Sequence, residues 1–282
     1  MSTSKKFARW LLAFISSLLL FSLLALTCVK STLFNQEFMV NQIHQADYVT
    51  RVQKDVTQRI QDYGRGSNIP PDELAEVVPR EVVEENVDNY IRGIYTGVPF
   101  NVVGKEKLAE NIQTAVERYA AEKGIDIDEA TQTNIDQLND TAAGAFESYV
   151  AIPYLLEYGQ KVMAYNQTLT LLMIIVGVAF LLVFLGLMIT TKWLHRRLRF
   201  AGAVIGGAGL MLTALPLYIY FSGVIDRLGI TSEGMYHFIT NYLKSFDLAF
   251  VKFGVISLVL AVILVIVSEV LRRKNVSRVK GE

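Results

Sequence analysis

The chain has little of what usually carries chemistry. It holds one cysteine, Cys28, and three histidines among 282 residues. A single cysteine excludes an internal disulfide, so a folded domain here is held by packing alone. A zinc site needs three or four ligands, and no cluster of that spacing occurs. His44 and Asp47 could share a helix face, but two ligands make no site. A glycine-rich phosphate loop, G-x-S-x-G, H-E-x-x-H and C-x-x-C are all missing. Strict apolar/polar alternation never lasts more than a few residues, so little or no β-sheet is expected. Basic residues come only in short clusters, which gives nucleic acid no surface to bind. No cofactor and no metal are expected.

What is present is hydrocarbon. The composition is 52% hydrophobic and the mean hydropathy is +0.33, more apolar than a soluble domain usually averages. The excess concentrates in four runs, residues 10–29, 168–190, 200–223 and 249–271. Each is close to the ~20 residues that cross a ~30 Å hydrocarbon core as a helix. Lipid offers nothing to unpaired backbone groups, so helix is the state expected there.

The net charge of zero hides a partition. Between Asn35 and Tyr165 stand 22 acidic and 11 basic residues. The short flanks are basic: Lys5, Lys6 and Arg9; Lys192, Arg196, Arg197 and Arg199; Arg272, Arg273, Lys274, Arg278 and Lys280, with Glu282 their one acid. Basic short loops stay cytoplasmic, and all three clusters fall on one side if all four runs span. The expected fold is an all-α membrane protein of four transmembrane helices, with a helical extracytoplasmic domain inserted between the first two. Its boundaries read as a cytoplasmic N-terminus 1–9, a first span 10–29, an acidic outer domain 30–167, and a second span 168–190. A basic loop 191–199, a third span 200–223, a short outer loop 224–248, a fourth span 249–271 and a basic tail 272–282 follow. The expected place is the plasma membrane, with both termini cytoplasmic.

The first run reads as an uncleaved anchor. Its apolar stretch is nearer 20 residues than the 7–15 of a signal core, and no clean A-x-A site follows. Ala25-Leu26-Thr27-Cys28 lacks the leucine and the small residue of a lipoprotein cleavage site, so Cys28 reads as an apolar residue.

The outer domain repeats apolar residues at the helical period. The stripes are Val49, Val52, Val56, Ile60, Tyr63; then Val83, Val87, Tyr90, Ile91, Ile94; then Leu108, Ile112, Ala115, Val116, Tyr119; then Ile135, Leu138, Ala142, Ala145, Phe146, Tyr149. Punctuation suggests four to five helices. Residues 64–71, rich in glycine and proline, break the first. Pro79 suits the first turn of the next. Gly97-Val98-Pro99 ends that one, Gly104 opens another and Gly124 stops it. Asp126 with Glu129 reads as a capping box. The outer helices are expected to run nearly continuous with the first and second spans. Pro153 would kink the exit, and Tyr154 to Tyr158 would form an interfacial belt.

Several patterns invite a sharper reading. Asp126-Ile127-Asp128-Glu129 resembles the start of an EF-hand, but Thr131 and Gln137 stand where glycine and glutamate are needed. Asn139, Asn166 and Asn275 open glycosylation triplets of the kind that arise by chance; the overall pattern reads as bacterial. Gly202, Gly206, Gly207 and Gly209 offer a small-residue face for close helix packing, within the chain or between copies as a homo-oligomer. Lys252, Glu269 and Asp247 lie near span ends and can snorkel, so no charge sits at mid-membrane. That weighs against a pump or proton-coupled transporter. His195 reads as a surface cation. His237 lies near Asp226, Arg227, Glu233 and Tyr236, and a histidine beside carboxylates can act as a general base.

Three functions compete. The expectation is a non-enzymatic membrane protein, surrounded by membrane lipids. Its outer helical domain binds a protein partner, and it serves as an accessory or scaffold subunit of cell-envelope machinery. The alternative is an intramembrane lipid- or lipoprotein-modifying transferase at the outer leaflet, with His237, Glu233, Asp226 and Tyr236 as its catalytic candidates. In four-span layout, and in layout only, the chain resembles the lipoprotein-modifying transacylases of Gram-positive bacteria, which implies that activity without assigning a residue to it. The third is an oligomeric channel or transporter component.

Overall fold

The computed structural model describes residues 3–151, 153–230 and 232–280, with side chains except at 3–5, 153, 154 and 275–280. Glu282 lies outside the described residues, as do the side chains of Lys5, Pro153, Tyr154, Asn275, Arg278 and Lys280. Among the described residues the regular structure is all helical, with no strand. Ten α-helices follow in order: α1 (Thr3–Thr32), α2 (Gln36–Gln45), α3 (Tyr48–Gly66), α4 (Arg80–Thr96), α5 (Lys105–Lys123), α6 (Glu129–Val150), α7 (Pro153–Met163), α8 (Asn166–Thr190), α9 (Leu194–Ser222) and α10 (Glu233–Lys280). Four helices, α1, α8, α9 and α10, are long and apolar enough to cross a membrane. They leave large apolar side chains uncovered: Leu182 is 67% exposed and Ile189 76%. Such surface is stable against hydrocarbon and costly against water.

The chain divides into two units. The first comprises Met1–Asn35, Tyr165–Leu228 and Tyr242–Glu282. Here α1 runs antiparallel to α8. Arg9 Nη2 donates to the Thr190 carbonyl at 2.6 Å at one end, and Lys30 Nζ donates to Thr170 Oγ1 at the other. Ala13, Leu187 and Val204 are buried between them and α9. The glycines of α9 are consumed inside the chain. A Cβ at Gly206 would meet Ala261 at 3.2 Å, and one at Gly209 would lie 2.8 Å from the Gly254 carbonyl oxygen. Gly202 faces Val265 in the same way, while Gly207 turns toward Ser17 of α1. Residues 202, 206 and 209 recur at helical spacing, so one face of α9 meets α10 and the next meets α1. Pro216 sits inside α9, as the middle of a membrane helix tolerates when neighbours re-satisfy the freed carbonyl.

The second unit comprises Gln36–Ala164 and Gly229–Asn241. Its core is the set of apolar stripes read above: Val56, Ile60, Val83, Ile91, Ile112 and Phe146 are each 1% exposed or less. Helix α3 packs on α6, α4 on α7, and α5 on α6. Gly97 ends α4 and Gly124 ends α5, both left-handed with φ of 74° and 65°. The connection after α4 is held by Asn86, which is fully buried. Its Oδ1 accepts from the Val103 N–H at 2.9 Å, and its Nδ2 donates to the carbonyls of Val82 at 2.7 Å and Val103 at 2.9 Å.

Five local expectations change. Asp128, not Asp126, caps α6: its backbone is extended and its Oδ1 accepts from the Thr131 N–H at 2.8 Å. Pro79 is the cap of α4 rather than its first helical residue. The α1 helix ends at Thr32 before α2, and turn residues at 164–165 separate α7 from α8, so neither junction is continuous. Finally, the 224–248 segment is mostly helix. After a 3-10 turn at Ile225–Arg227, α10 starts at Glu233 and continues to Lys280. The six helices of the second unit's long segment exceed the four to five expected.

Candidate functional site

The first turns of α10 carry three of the four catalytic candidates because helical spacing forces them together. Glu233, Tyr236 and His237 stand at i, i+3 and i+4, neighbours on one face. The imidazole Nε2 of His237 is 3.8 Å from Glu233 Oε1, beyond hydrogen-bond reach. The same oxygen accepts from Arg51 Nη1 of α3 at 2.8 Å. The carboxylate is therefore committed to a guanidinium, the stronger and charge-assisted partner. Tyr236 packs edge-on to His237, with ring centroids 5.5 Å apart. Asp226 belongs to the first unit and pairs with Lys244 at 2.5 Å. His44 and Asp47 are both exposed, Asp47 taking the Thr50 hydroxyl at 2.7 Å.

Beside the Arg51–Glu233 pair lies a groove of about 440 Å³. Helix α3 supplies Tyr48, Arg59 and Tyr63, α6 supplies Ser148 and Tyr149, and α10 adds Met235. Its floor is set by Tyr48, 5% exposed, whose ring meets Phe238 at 5.4 Å. Burial pushes the Tyr48 phenol well above its ordinary range, and the nearby Asp55 carboxylate adds to this. The phenol therefore stays in its neutral form. Arg59 is pre-oriented: its guanidinium lies over the Tyr63 ring at 4.9 Å, and its Nε donates to the Tyr63 hydroxyl at 3.1 Å. Asp55 is pushed up as well, first by burial and then by the charge of Glu233, with Lys54 and Arg51 opposing.

This arrangement offers rigid aromatic area, hydroxyl donors and a fixed cation. Among the described residues no cluster of three or more histidine, cysteine or carboxylate groups is placed to hold a metal. Arg51, Tyr48 and Arg59 did not stand out in the sequence. Tyr63 and Tyr149 did, as the ends of apolar stripes, and in the structure both are half-buried at the groove rather than sealed in the core. A tyrosine ending a stripe is the available signal, since its ring packs while its hydroxyl keeps to water. No family model, no curated protein and no solved structure matches the chain.

Proposed function

We propose that the chain is a plasma-membrane protein whose helical domain stands outside the cytoplasm. There it docks a protein partner through the Tyr48–Arg59–Tyr149 groove, as an accessory or scaffold subunit of cell-envelope machinery. The sidedness rests on the basic flanks, which favour cytoplasmic termini, and on the acidic excess of the Asn35–Tyr165 segment. The observation that carries the docking role is the groove's composition. Tyrosine and arginine are the residue types that anchor interfaces, because they bury large area at low entropic cost. Here one arginine is already held by a tyrosine, at 3.1 Å. That pre-organisation lowers the cost of ordering on binding.

The reading as a lipid- or lipoprotein-modifying transferase has less support. Its histidine lacks a hydrogen-bonded carboxylate, since Glu233 is engaged by Arg51. The channel reading loses the glycine face as an oligomer contact, since α9 uses it against α10 and α1.

The test is the double substitution Tyr63→Ala with Tyr149→Ala in the full chain. Both side chains are half-buried at the rim, so helicity and thermal midpoint should change little. Recovery of whichever envelope protein co-purifies with the wild type should fall by about tenfold or more, as for loss of two anchors. Undiminished recovery would refute the docking role of the groove.

A further inference from the structure

The most unusual electrostatic feature of the first unit lies at the end of the bundle where α1 and α9 carry their basic residues. Lys6 and Arg9 of α1 and Arg196 and Arg199 of α9 converge on one cavity of about 610 Å³. Its wall is apolar: Trp10 and Phe200 meet edge to face at 5.6 Å, and Val265 of α10 completes it. Trp10 is 63% exposed, so this wall is open to a visitor. Arg9 is oriented by its bond to the Thr190 carbonyl at 2.6 Å.

A basic flank alone explains why cations stand at this end of the spans. It does not explain their gathering around one aromatic-walled cavity. Four like charges repel. Among the described residues no carboxylate lies within ion-pair distance of Lys6, Arg196 or Arg199. The neighbouring cations of α10 differ, since Arg272 and Arg273 both pair with Glu269, at 2.8 Å and 3.3 Å. Lys6, Arg196 and Arg199 thus present positive charge with no carboxylate beside them, next to hydrocarbon-like surface.

We infer that this cavity is a binding site for an anionic glycerophospholipid, with the phosphate among Lys6, Arg9, Arg196 and Arg199 and an acyl chain along Trp10, Phe200 and Val265. Guanidinium groups match phosphate oxygens two at a time, and basic pockets between membrane helices suit acidic head groups. A zwitterionic lipid would bring its own cation and lose that advantage. A small soluble phosphate would gain the charges and leave the aromatic wall bare. The inference rests on the membrane reading of the four apolar helices.

The chain contains two tryptophans, so Trp193→Phe leaves Trp10 as a reporter inside the site. The full-length W193F protein is reconstituted in phosphatidylcholine vesicles doped with lipid brominated on its acyl chains, carrying either a phosphatidylglycerol or a phosphatidylcholine head group. Trp10 quenching should need on the order of tenfold less of the anionic lipid than of the zwitterionic one. Adding R196Q with R199Q should erase that preference, whereas adding R272Q with R273Q, which removes the same charge from cations already paired, should leave it. Equal quenching by both lipids would overturn the site, as would equal losses in the two double variants. Soluble glycerol phosphate should not relieve the anionic quenching; if it does, the occupant is a small anion and the lipid assignment is wrong. No quenching by either lipid would instead overturn the membrane reading itself.

Discussion

Arg51 and Glu233 are 182 positions apart in sequence and 2.8 Å apart in space. This contact ties α3 to the first turn of α10 within the second unit, to which the Gly229–Asn241 segment belongs. Gly234 sits close against it, and a Cβ there would lie 3.2 Å from that of Arg51. The pair is partly exposed, with side chains at 33% and 67%. Its electrostatic worth is therefore at most about 1 kcal/mol, and its main effect is positional. Arg51→Ala should lower the thermal midpoint by only a few degrees. It should also raise hydrogen exchange over residues 233–241 relative to α4, as read by exchange mass spectrometry. Unchanged exchange at 233–241 would show that the contact does not hold the turn.

Two carboxylates give opposite pH dependences. Asp55 is raised above its ordinary value by burial and then by Glu233. Its contribution to stability is present below the unfolded carboxylate range and lost as pH rises through the raised value. Asp128 is lowered, first by its bonds with Thr131. Its contribution is present above the ordinary range and lost as pH falls through the lowered value. Melting curves between about pH 3 and pH 7 should therefore change with Asp55→Asn, which removes the raised carboxyl and should raise the midpoint near neutrality relative to acid. Asp128→Ala should cost stability near neutrality and cost less as acid protonates the cap. A reversed sign in either case would contradict the assignment.

Asn86 is fully buried and spends both ends of its amide on backbone groups. Asn86→Ala leaves the Val103 N–H without that acceptor and should cost about 2–4 kcal/mol. Asn101→Ala, at an exposed position of the same connection, should change stability by under about 0.5 kcal/mol. Equal effects in thermal melts would show that the clamp does not hold the connection.

The close approach of α9 and α10 is testable by bulk. A Cβ at Gly209 would meet the Gly254 carbonyl oxygen at 2.8 Å, whereas one at Gly186 meets nothing within 4 Å. Gly209→Val should destabilise the detergent-solubilised protein by about 1–3 kcal/mol, and Gly186→Val should not. Equivalent melting of the two variants would place the α9–α10 contact elsewhere.

His237→Ala separates docking from catalysis. Its imidazole makes no hydrogen bond to Glu233, at 3.8 Å. Partner recovery should therefore stay within about twofold of wild type, a change under about 0.5 kcal/mol. Complete loss of cellular function in a normally folded H237A protein would favour the transferase.

How much of this could be read from the chain depended on range. The helical stripe Val52–Val56–Ile60 is a local pattern, and those residues are core. Gly97 and Gly124 announce helix ends because few other residues adopt their positive φ. The cap of α6 was harder. Asp126 and Asp128 have the same chemistry, and only the extended backbone at 128 selects between them. The start of α10 was obscured because its polar first turns faced a partner helix that no local signal names. Met235 and Phe238 belong to the domain's own packing, yet in sequence they resemble an interfacial loop. The Arg51–Glu233 pair and the groove beside it are long-range, and spacing carries no information about them.

The most direct test of the docking role is photo-crosslinking from position 149 in native membranes, with an exposed position such as Ile127 as the control. A photoreactive residue at 149 should give one reproducible protein adduct by mass spectrometry, absent from the control and reduced by Arg59→Ala. Adducts to lipid alone, or the same adducts from both positions, would contradict the account.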